Sequence, residues 1–267
     1  MSYLIYQNTQ IHYIRFGTGS QALIALHGYG DSAALYRALE PSLGKRYTIY
    51  SIDLPYHGRT RWAATRLFGV ADIAGIVAAV CEAESVDRFA LMGYSMGGRL
   101  AMCIAPDFAD RLDALFVIAA SGIKIHPIFN ALTVPAWIIR LLSFNIRYPA
   151  LLFAAMRMAR WLRLLPKSVY RFNRKLLATE RRRQRMHYTW LSIRQFIVDV
   201  PQLQQCLNQQ PTPVYLLFGD RDEIVPAWVG RFFAKGLHQA QFRLVSGNHF
   251  LVNAALNPVL DDLINEA

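Results

Sequence analysis

Short runs of apolar residues recur in the first and last parts of the chain, bounded by glycine, proline or charged positions. Such runs are typical of strands that are buried on both faces of a parallel sheet. The strands predicted from them cover residues 3–6, 11–16, 22–26, 47–52, 89–94, 114–119, 214–218 and 241–245. The first two are expected to form a hairpin.

Apolar positions at helical spacing lie between most of these runs. The helices predicted from this spacing cover residues 32–43, 70–83, 96–105 and 227–237, with a closing helix after His249. Strands that alternate with helices predict right-handed βαβ crossovers. The fold class expected is therefore α/β, with helices on both faces of a mostly parallel sheet.

The pattern changes after Gly122. From there to about residue 210, long amphipathic stretches are interrupted by prolines, which is typical of several short helices. The predicted organisation is a core domain formed by residues 1–122 and 211–267, with a helical insertion at residues 123–210.

Composition narrows the class of protein. Hydrophobic residues make up 54% of the chain and charged residues 18%, which favours a packed globular protein over a disordered one. Three cysteines at unrelated spacings indicate neither a disulfide framework nor a zinc site. The first residues lack the pattern of an export signal, and arginines interrupt every apolar stretch of the insertion. A cytoplasmic protein without a membrane span is expected.

The net charge of +11 is concentrated in one segment. Residues 123–205 contain fifteen lysines and arginines and two acidic residues, a net charge of +13, so the rest of the chain carries −2. The basic character therefore belongs to the helical insertion.

The sequence Gly93-Tyr94-Ser95-Met96-Gly97 follows a predicted strand and precedes a predicted helix. This is the context of a nucleophile elbow, in which the serine lies on a strained strand-to-helix turn and nearby glycines leave room for the backbone. The alternative is a turn of small residues that packs a helix on the sheet. The motif makes Ser95 the candidate nucleophile.

The segment His27-Gly28-Tyr29-Gly30 directly follows the strand predicted at residues 22–26. A loop at this position is where an oxyanion hole would form. The backbone N–H groups of Tyr29 and Met96 would then hold the oxygen that becomes negative when the serine attacks a carbonyl. The alternative is a glycine turn with a structural histidine.

Acidic and basic candidates follow the last two strands. Asp220, Asp222 and Glu223 come after the strand at residues 214–218, and a carboxylate there projects over the edge of the sheet where α/β proteins form their sites. Of seven histidines, only His249 follows these acids at a strand end. Position alone leaves the choice among the three acids open.

These segments resemble the α/β-hydrolase fold superfamily, and in particular its capped serine hydrolases of the esterase and thioesterase type. The resemblance covers residues 1–122 and 211–267. Its motifs, in order, are H-G-Y-G, D-L-P-Y-H-G, G-Y-S-M-G-G, G-D-R-D-E-I-V-P and G-N-H-F. Tyr56 departs from the commoner D-x-x-G-H-G, which leaves open how that loop turns.

The resemblance implies a three-layer fold with a mostly parallel sheet of about eight strands and an inserted helical cap. It also implies that Asp222, the fourth residue of G-x-x-D-x-x-V-P, completes a catalytic triad with Ser95 and His249. A serine at position 95, rather than an aspartate, speaks against haloalkane dehalogenases and epoxide hydrolases.

The activity implied is hydrolysis of a carboxylic ester or thioester with a hydrophobic acyl group, through an acyl-enzyme and without metal or organic cofactor. There are two alternatives. One is an acyltransferase or carbon–carbon bond hydrolase with the same triad, and the other is a non-catalytic protein that binds an anionic lipid or partner. The residues expected to contact the substrate are His27, Gly28, Tyr94, Trp137 and Phe250.

In similar proteins the insertion covers the catalytic serine and shapes the substrate pocket. Apolar residues such as Trp137, Leu151 and Trp161 would line a channel or form the packing core of the helices. The basic residues favour an acidic partner, either an acyl carrier protein or coenzyme A that bears the acyl group, or an anionic membrane surface to which the protein binds peripherally. No nucleic acid is expected, because the core carries no recognition motif.

Overall fold

The structure is a computed structural model that describes residues 2–63, 66–123, 148–163, 170, 174 and 177–265. It contains an eight-stranded sheet in the order β1-β2-β4-β3-β5-β6-β7-β8. The strands are β1 (Ser2–Tyr6), β2 (Thr9–Phe16), β3 (Gln21–Leu26), β4 (Tyr47–Ile52), β5 (Phe89–Tyr94), β6 (Leu112–Ile118), β7 (Val214–Gly219) and β8 (Ala240–Val245). Among these described strands only the pairs β1/β2 and β2/β4 are antiparallel, so the mostly parallel sheet expected from the sequence is confirmed.

The helices largely follow the predicted positions. In the part of the chain that the structure describes, the α-helices are α1 (Glu40–Leu43), α2 (Val70–Ala83), α3 (Met96–Ile104), α4 (Pro149–Trp161), α5 (Glu180–Ile193), α6 (Val200–Gln209), α7 (Ala227–Ala234) and α8 (Asn257–Asn265). Turns of 3₁₀-helix cover Ala33–Leu39, Ala105–Arg111 and Ala254–Leu256. Within the described ranges, none of the helices has both the length and the apolar character required to cross a bilayer.

The helical stretch predicted for residues 32–43 is present, but it contains two types of helix. A 3₁₀-helix covers Ala33–Leu39, and the short α1 begins at Glu40 with a proline in its first turn. Pro41 has no N–H to donate to the preceding turn, and its ring would clash with the carbonyl group of Arg37 in a continuous α-helix. The chain therefore changes helix type before this proline.

The chain divides into two compact units. The first comprises Met1–Trp62, Phe68–Ile125 and Gln195–Ala267, and the second comprises Ala63–Leu67 and His126–Arg194. Helix α6 belongs to the first unit, where Gln204 and Asn208 donate hydrogen bonds of 2.8 Å to the carbonyl groups of Phe233 and Gly236. The limits of the helical insertion, residues 123 and 210, remain a prediction.

The centre of the sheet forms the core of the first unit. Every residue of β5 and β7 is buried, because both faces of these strands are covered. This explains why the central strands are continuous apolar runs rather than alternating patterns. The carboxyl ends of these strands lead into the turns that carry the candidate site.

The loop after β4 turns at Tyr56. Its φ is 65°, in the left-handed region that glycine adopts at no steric cost. The Tyr56 ring lies 5.8 Å from the ring of Phe68, measured between centroids. Aromatic packing therefore accompanies a backbone conformation for which the related motif uses glycine.

Candidate active site

Ser95 lies on the tight turn between β5 and α3. Its φ of 53° and ψ of −112° are outside the ordinary regions for a residue with a side chain, a conformation that costs roughly 1–3 kcal/mol. Three backbone hydrogen bonds hold the turn. The Ser95 N–H donates to the Ile118 carbonyl at 2.9 Å, and the Ser95 carbonyl accepts from the N–H groups of Arg99 and Ser121 at 3.2 and 3.3 Å. The surrounding backbone thus stabilises the strained serine.

Two glycines make this turn sterically possible. A Cβ on Gly97 would lie 1.9 Å from the carbonyl oxygen of Leu26, and a Cβ on Gly93 would lie 2.4 Å from the carbonyl oxygen of Gly97. Real Cβ atoms do not approach backbone atoms so closely. The spacing of glycines around Ser95 therefore has a direct steric cause.

The structure brings Ser95, His249 and Asp222 into one line of hydrogen bonds. The Ser95 Oγ lies 2.8 Å from His249 Nε2, and His249 Nδ1 lies 2.7 Å from Asp222 Oδ2. Because an ionised carboxylate only accepts hydrogen bonds, the Nδ1–H donates to Asp222, and Nε2 accepts from the serine hydroxyl. Ser95 is half-buried, whereas His249 and Asp222 are buried.

Of the three acids left open by position, Asp222 is the one that contacts the histidine. Its other oxygen, Oδ1, accepts hydrogen bonds of 2.8 Å from the N–H groups of both Ile224 and Val225. Burial opposes ionisation, but the hydrogen bonds from His249 and from these amides hold the pKa of Asp222 below its usual value. The carboxylate is therefore ionised at neutral pH.

Asp220 and Glu223 have other surroundings. Asp220 Oδ1 accepts a 2.8 Å hydrogen bond from the Gly247 N–H, and its side chain is 40% exposed. Glu223 is exposed. Asp220 therefore holds the backbone of the loop that carries His249, and a variant at this position is a natural control for Asp222.

The two backbone donors expected for an oxyanion hole follow β3 and β5. Met96 is the first residue of α3, where N–H groups have no partner within the helix and lie at the positive end of its dipole. Tyr29 lies between Gly28 and Gly30, in the turn after β3, and Gly30 has a φ of 85°. The role of these two amides remains a prediction.

His27 has a different environment from the one expected for a substrate contact. Its side chain is fully buried, its Nδ1–H donates to the Gly28 carbonyl at 2.7 Å, and its Nε2 accepts from the Leu54 N–H at 3.1 Å. Both ring nitrogens are engaged by backbone groups. The imidazole instead connects the H-G-Y-G turn to the loop after β4.

Asp53 makes a second connection between these loops, which sequence reasoning missed. Its Oδ1 accepts a 2.6 Å hydrogen bond from the Ala33 N–H, and its Oδ2 accepts from the Arg59 N–H at 2.7 Å. His12 on β2 donates from Nδ1 to the same Oδ2 at 2.7 Å, and both side chains are buried. The first residue of D-L-P-Y-H-G was the available signal for Asp53, but nothing in the sequence pattern identified His12 as its partner.

The remaining predicted contacts differ in exposure. Tyr94 is buried, and its hydroxyl donates a 3.1 Å hydrogen bond to the His249 carbonyl. Its ring packs so closely on Gly28 that a Cβ added to this glycine would lie 2.8 Å from the ring. Burial, with the nearby charges of Asp31 and Asp222, raises the pKa of Tyr94 far above its usual value. Phe250 is 66% exposed beside His249, with 6.1 Å between ring centroids. Trp137 lies outside the described residues, and the substrate-binding roles remain predictions.

Thiol groups contribute no second nucleophile to this site. Cys81, Cys103 and Cys206 are free, and burial raises the pKa values of Cys81 and Cys103 to about 11. These two thiols are protonated at neutral pH and are poor nucleophiles. Among the residues that the structure describes, no three His, Cys, Asp or Glu side chains converge in a way that would hold a metal ion.

Comparison with known proteins places this geometry in a family. Residues 21–252 match the family model described as "alpha/beta hydrolase fold". A thermophilic esterase from Thermogutta terrifontis has a similar structure, with a TM-score of 0.71 and 19% identity over 97% of this chain and 92% of that one. An enol-lactonase from Burkholderia xenovorans LB400 gives a TM-score of 0.69 and 16% identity over 99% and 98%.

A third similar structure is a meta-cleavage product hydrolase from Pseudomonas fluorescens IP01, with a TM-score of 0.65 and 17% identity over 100% of this chain and 98% of that one. At these identities the likeness concerns the fold, whereas the family model covers most of the chain. The eight-stranded sheet, the strained serine turn and the match over residues 21–252 lead to one conclusion: the chain belongs to the α/β-hydrolase fold family.

Proposed function

We propose that this protein is a serine hydrolase that cleaves a carboxylic ester or thioester with a hydrophobic acyl group. The observation that carries the proposal is the unbroken line of hydrogen bonds from the Ser95 hydroxyl through His249 to Asp222, with contacts of 2.8 and 2.7 Å. These distances lie within the range that general-base activation of a hydroxyl requires.

In the proposed first half-reaction, His249 Nε2 takes the hydroxyl proton as Ser95 Oγ attacks the acyl carbonyl carbon. The carbonyl oxygen becomes negative and accepts hydrogen bonds from the N–H groups of Met96 and Tyr29. The protonated imidazole then gives its proton to the departing alcohol or thiol, and the acyl group remains on Ser95.

In the second half-reaction a water molecule gives a proton to His249 and attacks the acyl-enzyme. Collapse of the second tetrahedral intermediate returns the proton to Ser95 and releases the carboxylic acid. Throughout both steps Asp222 stays ionised and holds the His249 ring with its proton on Nδ1, which leaves Nε2 as the base. The two amides that bind Asp222 Oδ1 fix this carboxylate in place.

Labelling with a fluorophosphonate probe tests the proposal. A nucleophilic serine displaces the leaving group of the probe, so we expect wild-type protein to be labelled and Ser95→Ala to remain unlabelled. The rates of hydrolysis of nitrophenyl esters of increasing acyl length should then show which acyl chain the wild-type protein prefers. Ser95→Ala should hydrolyse none of these esters. Folded wild-type protein that neither reacts with the probe nor cleaves any ester would refute the proposal and favour a binding function.

A matched pair of acid variants tests the role of Asp222. Asp222→Asn should lower kcat by about 10⁴-fold, because the amide favours the wrong histidine tautomer. Asp220→Asn, two residues away, should retain most of the activity, because its carboxylate bonds Gly247 and not His249. Equal losses in the two variants would mean that the loop, rather than the Asp222 carboxylate, determines activity.

A further inference from the structure

Helix α4 presents apolar side chains to solvent. Leu151 is 58% exposed, Met158 is 57% exposed and Trp161 is 77% exposed, and Leu162, just beyond the helix, is 51% exposed. At 100° per residue the exposed apolar positions fall within a sector of about 140° on the helix surface. They are Ala150, Leu151, Ala154, Ala155, Met158, Trp161 and Leu162.

This orientation is the reverse of that of an ordinary surface helix, whose apolar stripe faces the protein. Arg160, on the side of α4 away from this stripe, is half-buried. Four of the exposed side chains are large, and exposed apolar surface that is grouped in this way marks interaction sites. The helix therefore has a face that is suited to an apolar environment outside the protein.

Cationic side chains border the apolar face. Arg157 is exposed and, with Ala154, Met158 and Trp161, lines a shallow open depression on the helix. Arg163 follows the helix and is also exposed. An apolar stripe with tryptophan and flanking arginines is the arrangement of helices that lie in the plane of a membrane interface.

The charge of the whole second unit has the same sign. The ranges Ala63–Leu67 and His126–Arg194 contain fifteen lysines and arginines and a single acidic residue, Glu180, for a net charge of +14. The Glu180 carboxylate accepts a hydrogen bond from Gln184 at 3.0 Å. A chain segment of this charge attracts anions over distances of roughly the Debye length, about 10 Å at 0.1 M salt.

We propose that α4 binds an anionic lipid surface, with Leu151, Met158 and Trp161 in the interfacial layer and Arg157 and Arg163 at the lipid head groups. Charge alone would suit an acidic carrier protein equally well. The exposed apolar stripe favours the membrane, because a bilayer supplies apolar volume next to negative charge and tryptophan favours this boundary. The protein would then act at, but not span, the lipid phase.

Sedimentation with lipid vesicles tests this inference on the chain of 267 residues. Vesicles of phosphatidylcholine with about 30 mol% phosphatidylserine should bind the protein at about 0.1 M salt, and pure phosphatidylcholine vesicles should bind it much more weakly. Replacing both Arg157 and Arg163 with glutamine should lower the partition coefficient on anionic vesicles by about 25-fold, at about fivefold per basic residue.

Tryptophan variants distinguish binding through the α4 face from binding through exposed apolar side chains elsewhere in the protein. Trp161→Ala should lower the partition coefficient by about tenfold, because an interfacial indole is lost. Trp228→Ala is the matched control: Trp228 is 50% exposed but lies on α7 of the other unit, so its loss should change binding less than about twofold. Ser95→Ala should bind vesicles like wild type, so membrane binding and hydrolysis can fail independently.

Three outcomes would overturn the inference. One is the absence of binding to anionic vesicles by folded wild-type protein. Another is an equal loss of binding in Trp161→Ala and Trp228→Ala. The third is salt-sensitive binding to an acyl carrier protein that depends on Arg157 and Arg163 while vesicles are not bound, which would assign the same surface to an acidic protein partner.

Discussion

Replacing Asp53 with asparagine removes a charge from a carboxylate that is only 2% exposed and accepts three hydrogen bonds. An amide has one acceptor oxygen, whereas backbone N–H donors approach both oxygens of Asp53, from Ala33 on one side and Arg59 on the other. Whichever way the amide is oriented, its NH₂ group faces one of these donors. The variant therefore leaves a backbone N–H unsatisfied in a buried position.

The size of the effect follows from these contacts. Three hydrogen bonds to a charged acceptor become bonds to a neutral one or are lost, at about 1 kcal/mol each, and the unsatisfied N–H costs about 1–3 kcal/mol. A neutral amide is easier to bury than a carboxylate, which offsets part of this loss. We expect a decrease of about 3 kcal/mol in the free energy of unfolding, and a Tm lower by about 6–12 °C.

Urea unfolding followed by circular dichroism measures the change, with Asp113→Asn as the control. Asp113 pairs with Arg88 at 2.7 Å, but the two side chains are 39% and 57% exposed, so its loss should cost less than about 1 kcal/mol. If Asp53→Asn were no less stable than Asp113→Asn, the buried carboxylate would not hold the two loops together as argued.

Three other predictions concern the serine turn, the Asp222 carboxylate and the cysteines. Gly97→Ala should lower the free energy of unfolding by at least about 3 kcal/mol, because the added Cβ overlaps the Leu26 carbonyl group. The control is Gly69→Ala, whose added Cβ makes only ordinary contact. Equal stabilities of the two variants would contradict the steric argument. Because its folded-state pKa is lowered, Asp222 stabilises the protein fully above its unfolded pKa of about 4, and this contribution is lost as the pH falls through the folded value. The stability gap between wild type and Asp222→Asn in urea should therefore narrow from about pH 6 to about pH 3, and a constant gap would refute the assigned shift. Cys81 and Cys103 have pKa values of about 11, so few of their thiols are ionised. We expect them to react with iodoacetamide about 100-fold more slowly in the native than in the unfolded protein, as measured by mass spectrometry. Equal rates would show that burial does not suppress the reactivity of these thiols.

The sequence by itself determined the elements of the sheet and the position of the serine turn. A strand that is buried on both faces requires a continuous apolar run, and a sharp strand-to-helix turn requires glycines around the serine, so local pattern carries both features. The central strands accordingly begin and end within one or two residues of the predicted positions. Residues 32–43 are helical as predicted, but the apolar pattern did not show that the type of helix changes before Pro41.

Only the tertiary structure decided which distant side chains meet. Position left Asp220, Asp222 and Glu223 as equal candidates, and only the family resemblance singled out Asp222. The contact of Asp222 with His249 itself depends on how the loops after β7 and β8 pack together. The same holds for Asp53 and His12, which are 41 positions apart and come together through the pairing of β2 with β4.

The exposed face of α4 is a further feature that periodicity could not determine. Helical spacing shows that apolar residues share one side, but the same stripe is compatible with burial in a core and with exposure to another phase. The exposed fractions of Leu151, Met158 and Trp161 settle the direction of the stripe in the folded chain. Spacing along a chain fixes which side chains share a face, whereas the direction of that face depends on contacts between segments far apart in sequence.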